Sequence, residues 1–534
     1  MLKKQHLSYA IISGILLSLP WLERCSGIFL WVAFVPLLLV EDDYHSTFNK
    51  PKKELFLYAS LTFLTWNILT TWWLVNATFV GACALIMMNT FLFSLVFWLY
   101  HITRKIAGNI IGGVALVAYW TAFEYFYLNA EISWPWLNLG NGFANDIRLI
   151  QWYEYTGTLG GTVWVLLANV LITAIALEYI KHRNFNALWK RLIALSLLIL
   201  VPVIISVKQY DNYSEKANPY KIVVIQPNID PYNDKFGGMS PDQQLNIILQ
   251  KADSIGNKSV DYFVGPETAI QGYNLESEIN NNWAVNKIRT YLQHYPKAKF
   301  IIGSETIKEY SPGEKLSGTA HKLRNTEVWY DNYNTALQVD TTHIVQIYHK
   351  SQLVVGVEKI PYVKYLRFLE KYAFKFGGTF ESRGTQEDRG TFYSANSKNR
   401  IAPVICYESV YGEYVTGYIK NGANFIFILT NDGWWGNTPG HFRHRSISQL
   451  RAIETRRSIA RSANTGISTF INQRGDVLQT LGWWKRGALI DNLNANDKIT
   501  FYVCYGDYLG RLAYFVSACI ILVTIILFIK KRKK

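Results

Sequence analysis

The sequence has 534 residues, of which 50% are hydrophobic and 15% aromatic, while only 17% are charged. A typical soluble domain has roughly 25% charged residues, so this composition is apolar for a soluble chain and excludes a disordered or collagen-like one. The mean hydropathy of +0.05 is nevertheless too low for a chain embedded in a membrane throughout. The mean hydropathy must therefore average an apolar region and a polar region of the chain.

The net charge of +15 is unevenly distributed along the chain. Residues 1–209 have an excess of 4 positive charges, residues 210–509 an excess of 5, and residues 510–534 an excess of 6. A protein that binds nucleic acid should carry its positive excess on a folded domain, so the nearly balanced middle argues against that class. The 5 cysteines do not form a disulfide framework by number or spacing, so we expect any important thiol to act singly.

Apolar runs dominate the first part of the chain. A helix crosses a bilayer with roughly 20 apolar residues, and we predict eight such spans. They lie near residues 7–22, 26–40, 55–75, 79–100, 110–128, 158–179, 191–207 and 511–529. Most Lys and Arg residues between the runs, with the tail 530–534, fall on one side of this eight-span path. Because positive residues near spans stay in the cytoplasm, both termini are predicted to be cytoplasmic and residues 208–510 to lie outside.

From Tyr210 onward, short apolar runs alternate with helical patterns, which is typical of a layered α/β domain. Strands are predicted at 221–226, 261–265, 299–303, 334–339, 343–348, 401–406, 424–429 and 458–472, the last interrupted near 464–466. Helices are predicted at 241–255, 283–295 and 441–455. The predicted organisation is seven spans in 1–209, an extracytoplasmic domain in 210–509, and the eighth span with a basic tail in 510–534.

Three predicted strands end at ionisable or nucleophilic residues, namely Glu267, Lys350 and Cys406. Alone, each has an ordinary interpretation: a turn carboxylate, a solvated lysine and a buried core cysteine. Together they form a chemical set, because α/β domains place ligands at such strand ends. A buried carboxylate can act as a base, a thiolate as a nucleophile, and a lysine with a backbone N–H can stabilise an oxyanion.

The order Glu, Lys, Cys on successive strand ends, with seven spans before and one after, resembles the apolipoprotein N-acyltransferase family of the nitrilase superfamily. Local strings carry the same resemblance: Val224–Ile229, Gly265–Ala269, Tyr348–Lys350, Cys406–Glu408, Asn431–Gly436, Arg461–Ser468 and Trp134–Leu137. The resemblance implies a four-layer αββα sandwich. It also implies that Glu267 is the general base, Lys350 the oxyanion stabiliser and Cys406 the nucleophile.

The resemblance implies further site residues and no metal or cofactor. Glu358 matches a second, supporting carboxylate, and the Tyr407 amide would join the oxyanion hole. Glu408 matches a supporting position at the pocket, and Trp434 and Trp435 match substrate-binding positions. Two strings depart from the family pattern, at Gly265 and at Val355-Gly356-Val357.

The implied activity moves a fatty acyl chain from a membrane phospholipid, through a cysteine thioester, to the α-amine of a diacylglyceryl-cysteine at an apolipoprotein N-terminus. The implied enzyme is a monomer of the bacterial inner membrane with a periplasmic catalytic domain and no nucleic-acid partner. Two other functions stay open: a membrane-anchored amidase that uses the same triad on water, and a receptor or transporter with a ligand-binding outer domain.

Two segments allow two interpretations each. Ile360–Leu369 is apolar and basic, which fits a membrane-dipping arm over the pocket or an ordinary amphipathic surface helix. His441 and His444 could mark a metal or phosphate site, but cations at a helix start are the commoner explanation.

Overall fold

The computed structural model describes residues 3–23, 25–46, 52–182, 185–362, 365, 382–394 and 397–532. The chain divides into two compact units. The first comprises Met1–Val75, Phe79–Tyr213 and Tyr505–Lys534, and the second comprises Asn76–Thr78 and Ser214–Cys504.

The first unit is helical. Its helices are α1 (Lys4–Ser18), α2 (Leu30–Ala33), α3 (Val35–Ser46), α4 (Lys52–Thr71), α5 (Phe79–Ala107), α6 (Asn109–Asn129), α7 (Tyr153–Leu177), α8 (Phe185–Asn212) and a C-terminal helix, Tyr508–Arg532. Within the described part of the chain, five helices are long and apolar enough to cross a membrane. They are Phe79–Ala107, Asn109–Asn129, Tyr153–Lys181, Leu188–Asn212 and Tyr508–Arg532. The apolar helices of the prediction are confirmed for these segments.

Of the three remaining predicted spans, 7–22 and 26–40 correspond to a short and an interrupted helix, whereas 55–75 corresponds to α4, whose 20 residues are enough for a crossing but are less apolar than the five helices above. Helix α1 has 15 residues, fewer than a bilayer crossing needs. The predicted run 26–40 is divided into a 3-10 turn, Gly27–Phe29, followed by α2 and α3. Pro36 contributes to the break between α2 and α3, because its nitrogen carries no hydrogen to donate to the carbonyl four residues earlier. The number of eight spans stays a prediction.

The second unit contains two sheets. Its strands are β1 (Pro219–Gln226), β2 (Tyr262–Val264), β3 (Lys299–Glu309), β4 (His321–Lys322), β5 (Trp329–Val339), β6 (Gln346–His349), β7 (Phe392–Ser394), β8 (Ser397–Ile405), β9 (Phe425–Thr430), β10 (Ser458–Ala463), β11 (Ser468–Ile471), β12 (Val477–Leu481) and β13 (Gly487–Asn494). One sheet has the order β13-β1-β2-β3-β5-β4, with β6 beside β5. The other has the order β12-β11-β10-β9-β8-β7. The α/β character predicted for this region is confirmed.

The central strands β1 and β2 of the first sheet are buried on both faces along most of their length. Among the described residues, the second unit also has helices α9 (Pro241–Asp253), α10 (Trp283–Leu292), α11 (Gly412–Lys420) and α12 (Pro439–Thr455), and α13 (Phe501–Tyr505) lies at its end. On β1, Val223 belongs to the same apolar core as residues of α9 and α10. Its neighbour Val224 is equally buried and points to the opposite face, because side chains alternate along a strand. On that face Tyr262 of β2 contacts Phe427 of β9, with ring centroids 5.4 Å apart.

Candidate active site

Cys406 lies where β8 ends and begins a 3-10 turn, Cys406–Val410. Its backbone has φ = 49°, a left-handed conformation that is strained for a residue with a Cβ. The residue is buried, and burial raises the pKa of its thiol, with the Glu267 carboxylate adding to the effect and Lys350 opposing it. A thiol in this setting needs a base to take its proton.

Lys350 is held between two carboxylates. It follows β6 and is only 1% exposed. Its Nζ donates to Glu267 Oε1 at 2.9 Å and to Glu358 Oε1 at 3.0 Å. Burial alone would lower the pKa of Lys350, but Glu267 and Glu358 outweigh it and hold that pKa well above its usual value. The structure thus brings together the predicted Glu267, Lys350 and Glu358, with the Cys406 thiol within electrostatic range of Glu267 and Lys350.

Asn334 of β5 joins this group, although the sequence analysis did not single it out. Its Nδ2 donates to Glu267 Oε1 at 2.8 Å and to Glu358 Oε1 at 3.0 Å, and its carbonyl accepts from the Lys350 amide at 2.8 Å. The only sequence signal was a polar residue at the start of the predicted strand 334–339. One side chain therefore orients both carboxylates around the lysine.

Glu358 is fixed from its own loop as well. Its Oε2 accepts from the Val354 amide at 2.9 Å, and its carbonyl accepts from the Arg383 amide at 3.0 Å. Burial would raise the pKa of Glu358, but Lys350 and Arg383 hold it below its usual value. Residues 363–364 and 366–369 of the predicted arm lie outside the described residues.

The turn that carries Glu267 is pressed against β3. The Gly303 amide donates to the Pro266 carbonyl at 3.0 Å. A Cβ on Gly303 would lie 2.5 Å from the Thr268 nitrogen and 2.6 Å from the Glu267 Cα, so this position has no room for a side chain. Thr268 itself has φ = 46°.

Lys235 is a second buried lysine next to this turn, and no sequence pattern indicated it. Its Nζ donates to Thr268 Oγ1 at 2.6 Å and to the Glu267 carbonyl at 3.3 Å. Burial lowers the pKa of Lys235 to about 8, although Glu267 and Cys406 favour its charged form. The loop after β1 therefore brings a second cation to the Glu267 turn.

Glu408 is fully buried and is surrounded by hydrogen-bond donors, several of them hydroxyls. It accepts from the amides of Ile405 and Ser351, both at 2.8 Å, and these residues precede Cys406 and follow Lys350. The hydroxyls of Tyr348, Tyr414 and Tyr418 also donate to its carboxylate. Burial raises the pKa of Glu408. Its side chain thus connects the segments that carry Cys406 and Lys350.

The aromatic residues predicted at the site occupy different places. Trp434 stacks on Phe236 with ring centroids 6.0 Å apart and contacts Tyr232 edge-on at 5.4 Å, and both partners are exposed. Phe236 directly follows Lys235, so this aromatic group adjoins the site. Trp435 contacts the His444 ring at 5.6 Å. Tyr407 is buried, and its ring contacts that of Tyr411.

No cluster of three or more His, Cys, Asp or Glu residues suited to a metal ion occurs in the described ranges. The site described above consists of carboxylates, an amide, two lysines and one thiol.

Two family models match the chain. The carbon-nitrogen hydrolase model matches residues 221–500, slightly more than half of the sequence. The chain belongs to the carbon-nitrogen hydrolase family. A second model, the apolipoprotein N-acyltransferase N-terminal domain, matches residues 13–171. The resemblance stated from the sequence is confirmed.

Relatives of this carbon-nitrogen hydrolase chain match it over nearly its whole length. The apolipoprotein N-acyltransferase of Chlorobaculum tepidum is 28% identical over 96% of this chain and 95% of its own length. That of Geobacter metallireducens is 26% identical over 93% of this chain and 91% of its own. Among solved structures, an amidase of the nitrilase superfamily from Nesterenkonia AN1 is 15% identical, covers 56% of this chain and 98% of its own, and has a TM-score of 0.37.

Proposed function

We propose that this protein is an N-acyltransferase. It moves a fatty acyl chain from a membrane phospholipid, through a thioester on Cys406, to the α-amine of the diacylglyceryl-cysteine at an apolipoprotein N-terminus. The observation that supports this most is a buried Glu–Lys pair beside a strained cysteine, in a chain that also carries long apolar helices. The names of relatives that cover more than nine-tenths of the chain agree with it.

In the first half-reaction, the Glu267 carboxylate takes the proton from the Cys406 thiol. The resulting thiolate attacks the ester carbonyl of the phospholipid, which forms a C–S bond and a tetrahedral oxyanion. Lys350 Nζ and the Tyr407 N–H donate to that oxyanion; removing one such donor commonly costs about 100-fold or more in rate. The C–O bond then breaks, Glu267 returns the proton to the leaving lyso-phospholipid, and the acyl chain stays on sulfur.

In the second half-reaction, the neutral α-amine of the acceptor attacks the thioester carbonyl. Glu267 takes the amine proton as the C–N bond forms, and passes it to the Cys406 sulfur as the C–S bond breaks. The products are an amide and the free thiol. Because donor and acceptor are both anchored in one membrane, their encounter has a reduced entropic cost.

Other residues hold this machinery in place. Glu358 and Asn334 orient Lys350 and Glu267, and Glu408 ties the nucleophile segment to the lysine segment. Trp434 and Trp435 serve the substrate-binding role implied by the family, for which the contact of Trp434 with exposed aromatic residues is the support.

The proposal includes the predicted layout. The catalytic domain, 210–509, is a four-layer αββα sandwich in the periplasm, and residues 1–209 and 510–534 provide eight inner-membrane spans with both termini in the cytoplasm. The support for this layered arrangement is the presence of two sheets, together with the apolar core that the first sheet shares with helices α9 and α10. The protein acts as a monomer and needs no cofactor.

Intact mass spectrometry of the full-length protein in detergent tests the function. With phospholipid, we expect the protein to gain the mass of one acyl chain, and to lose it when a synthetic diacylated peptide with a free α-amine is added. Cys406→Ala should abolish the gain, while Cys504→Ala, which changes an exposed cysteine, should preserve it. Release of free fatty acid without peptide acylation would favour the amidase, and no acylation at all would favour a binding protein.

A further inference from the structure

A buried polar group lies directly behind the Cys406 turn. His444 comes from α12, Asp432 from the 3-10 turn after β9, and Arg461 from β10. All three side chains are 0% exposed. The proposed reaction steps use none of them, and the sequence pattern alone favours a helix-start cation for His444.

His444 reaches the backbone of the nucleophile. Its Nε2 lies 3.1 Å from the Cys406 carbonyl oxygen and 3.0 Å from Ser409 Oγ. Ser409 Oγ itself donates to the same carbonyl at 2.7 Å. A carbonyl only accepts, and the Ser409 proton is already directed to it, so Nε2 carries a proton and donates. Two side-chain donors thus converge on the carbonyl of Cys406.

The other edge of the ring is held by a charge network. His444 Nδ1 lies 2.8 Å from Asp432 Oδ1, and Arg461 donates to Asp432 Oδ2 at 2.7 Å. Thr430 Oγ1 also donates to Asp432 at 2.8 Å. Although burial would raise it, Arg461 and His444 hold the pKa of Asp432 well below its usual range. The carboxylate therefore fixes which way the imidazole faces.

We propose that His444, oriented by Asp432, is a positioning residue that clamps the Cys406 carbonyl and keeps the strained backbone that presents the thiol. The left-handed φ of 49° has no glycine to relieve it, so it persists only where neighbouring contacts impose it. Without the His444 donor, only Ser409 Oγ holds this carbonyl, so the backbone of Cys406 can relax from its left-handed conformation. That relaxation would move both the sulfur and the Tyr407 N–H. The inference rests on the proposed role of Cys406 as nucleophile.

The test measures single-turnover acylation of Cys406 in the full-length protein at increasing phospholipid concentration. His444→Leu removes the donor, and His444→Gln restores an N–H near the position of Nε2. We expect His444→Leu to lower the maximal rate about tenfold, as for a buried carbonyl that loses one of its two side-chain donors, with half-saturation unchanged. His444→Gln should recover most of that loss. His441→Leu is the matched control, since it removes another buried histidine of α12, hydrogen-bonded to Asn437 rather than to Cys406.

Any of three results overturns the positioning role. The first is that the maximal rate of His444→Leu equals that of the native protein, and the second is that it falls no more than that of His441→Leu at an equal loss of thermal stability. The third is that His444→Gln folds but does not recover the maximal rate. Should His444→Leu fail to fold, Ser409→Ala decides, because it removes the second donor to the same carbonyl and leaves only a small cavity. A fall of about fivefold in maximal rate is expected for it, and an unchanged rate overturns the inference. If the native protein forms no thioester, the proposed function fails as well, whereas normal acylation in the variants overturns only this inference.

Discussion

Replacing Lys235 by methionine should separate stability from activity. The pKa of Lys235 is lowered by burial from 10.5 to about 8, and one pKa unit corresponds to about 1.4 kcal/mol. Because the folded pKa lies below the unfolded one, the charged lysine destabilises the fold by about 3 kcal/mol below pH 8, and this cost disappears as the pH rises towards 10.5. Methionine has a similar length and carries no charge.

The loss of two hydrogen bonds offsets part of that gain. The bonds to Thr268 Oγ1 and the Glu267 carbonyl contribute about 1 kcal/mol each. We therefore expect Lys235→Met to be between unchanged and about 2 kcal/mol more stable at pH 7, a rise in Tm of roughly 0 to 5 °C. Thioester formation should fall about tenfold, because a cation that favours the Cys406 thiolate is gone.

Thermal unfolding of the full-length protein in detergent and single-turnover acylation measure the two effects. Lys299→Met is the matched control, since burial also lowers the pKa of the half-buried Lys299, but this lysine contacts Tyr262 rather than the site. It should keep normal acylation. A loss of about 2 kcal/mol or more of folding stability in Lys235→Met would show that the buried charge of Lys235 does not destabilise the fold. Acylation at the native rate would show that this charge does not assist the site.

Three other substitutions test single contacts. Asn334→Asp places a third carboxylate against Glu267 and Glu358, and the repulsion favours protonation of the group. The acylation rate at pH 7 should therefore fall about 30-fold or more, and should recover relative to the native protein as the pH rises to about 9. An unchanged rate would contradict the role of Glu267 as the base. Gly303→Ala forces a Cβ against the Glu267 turn, so the free energy of unfolding should fall by about 2 kcal/mol and the acylation rate should fall as well. Gly318→Ala is the control, because a Cβ at Gly318 meets no neighbouring atom, and it should change neither quantity. Burial raises the pKa of Glu408, so its contribution to stability is full below its unfolded pKa and is lost as the pH rises through its folded pKa. Glu408→Gln removes this titration and should make Tm fall less steeply with pH. It should also lower Tm at every pH, because the glutamine amide cannot accept from every group that donates to the carboxylate.

The sequence predicted the strands that are buried on both faces, because such strands are continuous apolar runs. It missed β12 and β13, whose residues are largely half-exposed, and the very short β4 and β7. Helix α11 escaped as well, since its nine residues contain two glycines and β-branched side chains, which weaken a helical pattern. These elements depend on pairing and packing with distant parts of the chain.

The site shows the same division. Glu267, Lys350 and Cys406 could be singled out because Lys350 and Cys406 directly follow strands and Glu267 lies three residues after one. Asn334 and Lys235 could not, because only the fold of the second unit brings them to Glu267. The left-handed backbone of Cys406 had no local signal either, since glycine is the residue that normally marks such a conformation.

The most direct test of the central claim is the mass of the full-length protein after incubation with phospholipid alone. We expect the native protein to gain one acyl chain on the peptide that contains Cys406, and to transfer it to a diacylated peptide amine but only slowly to water. A protein that gains no acyl mass, or that carries it on another residue, would contradict a thioester on Cys406.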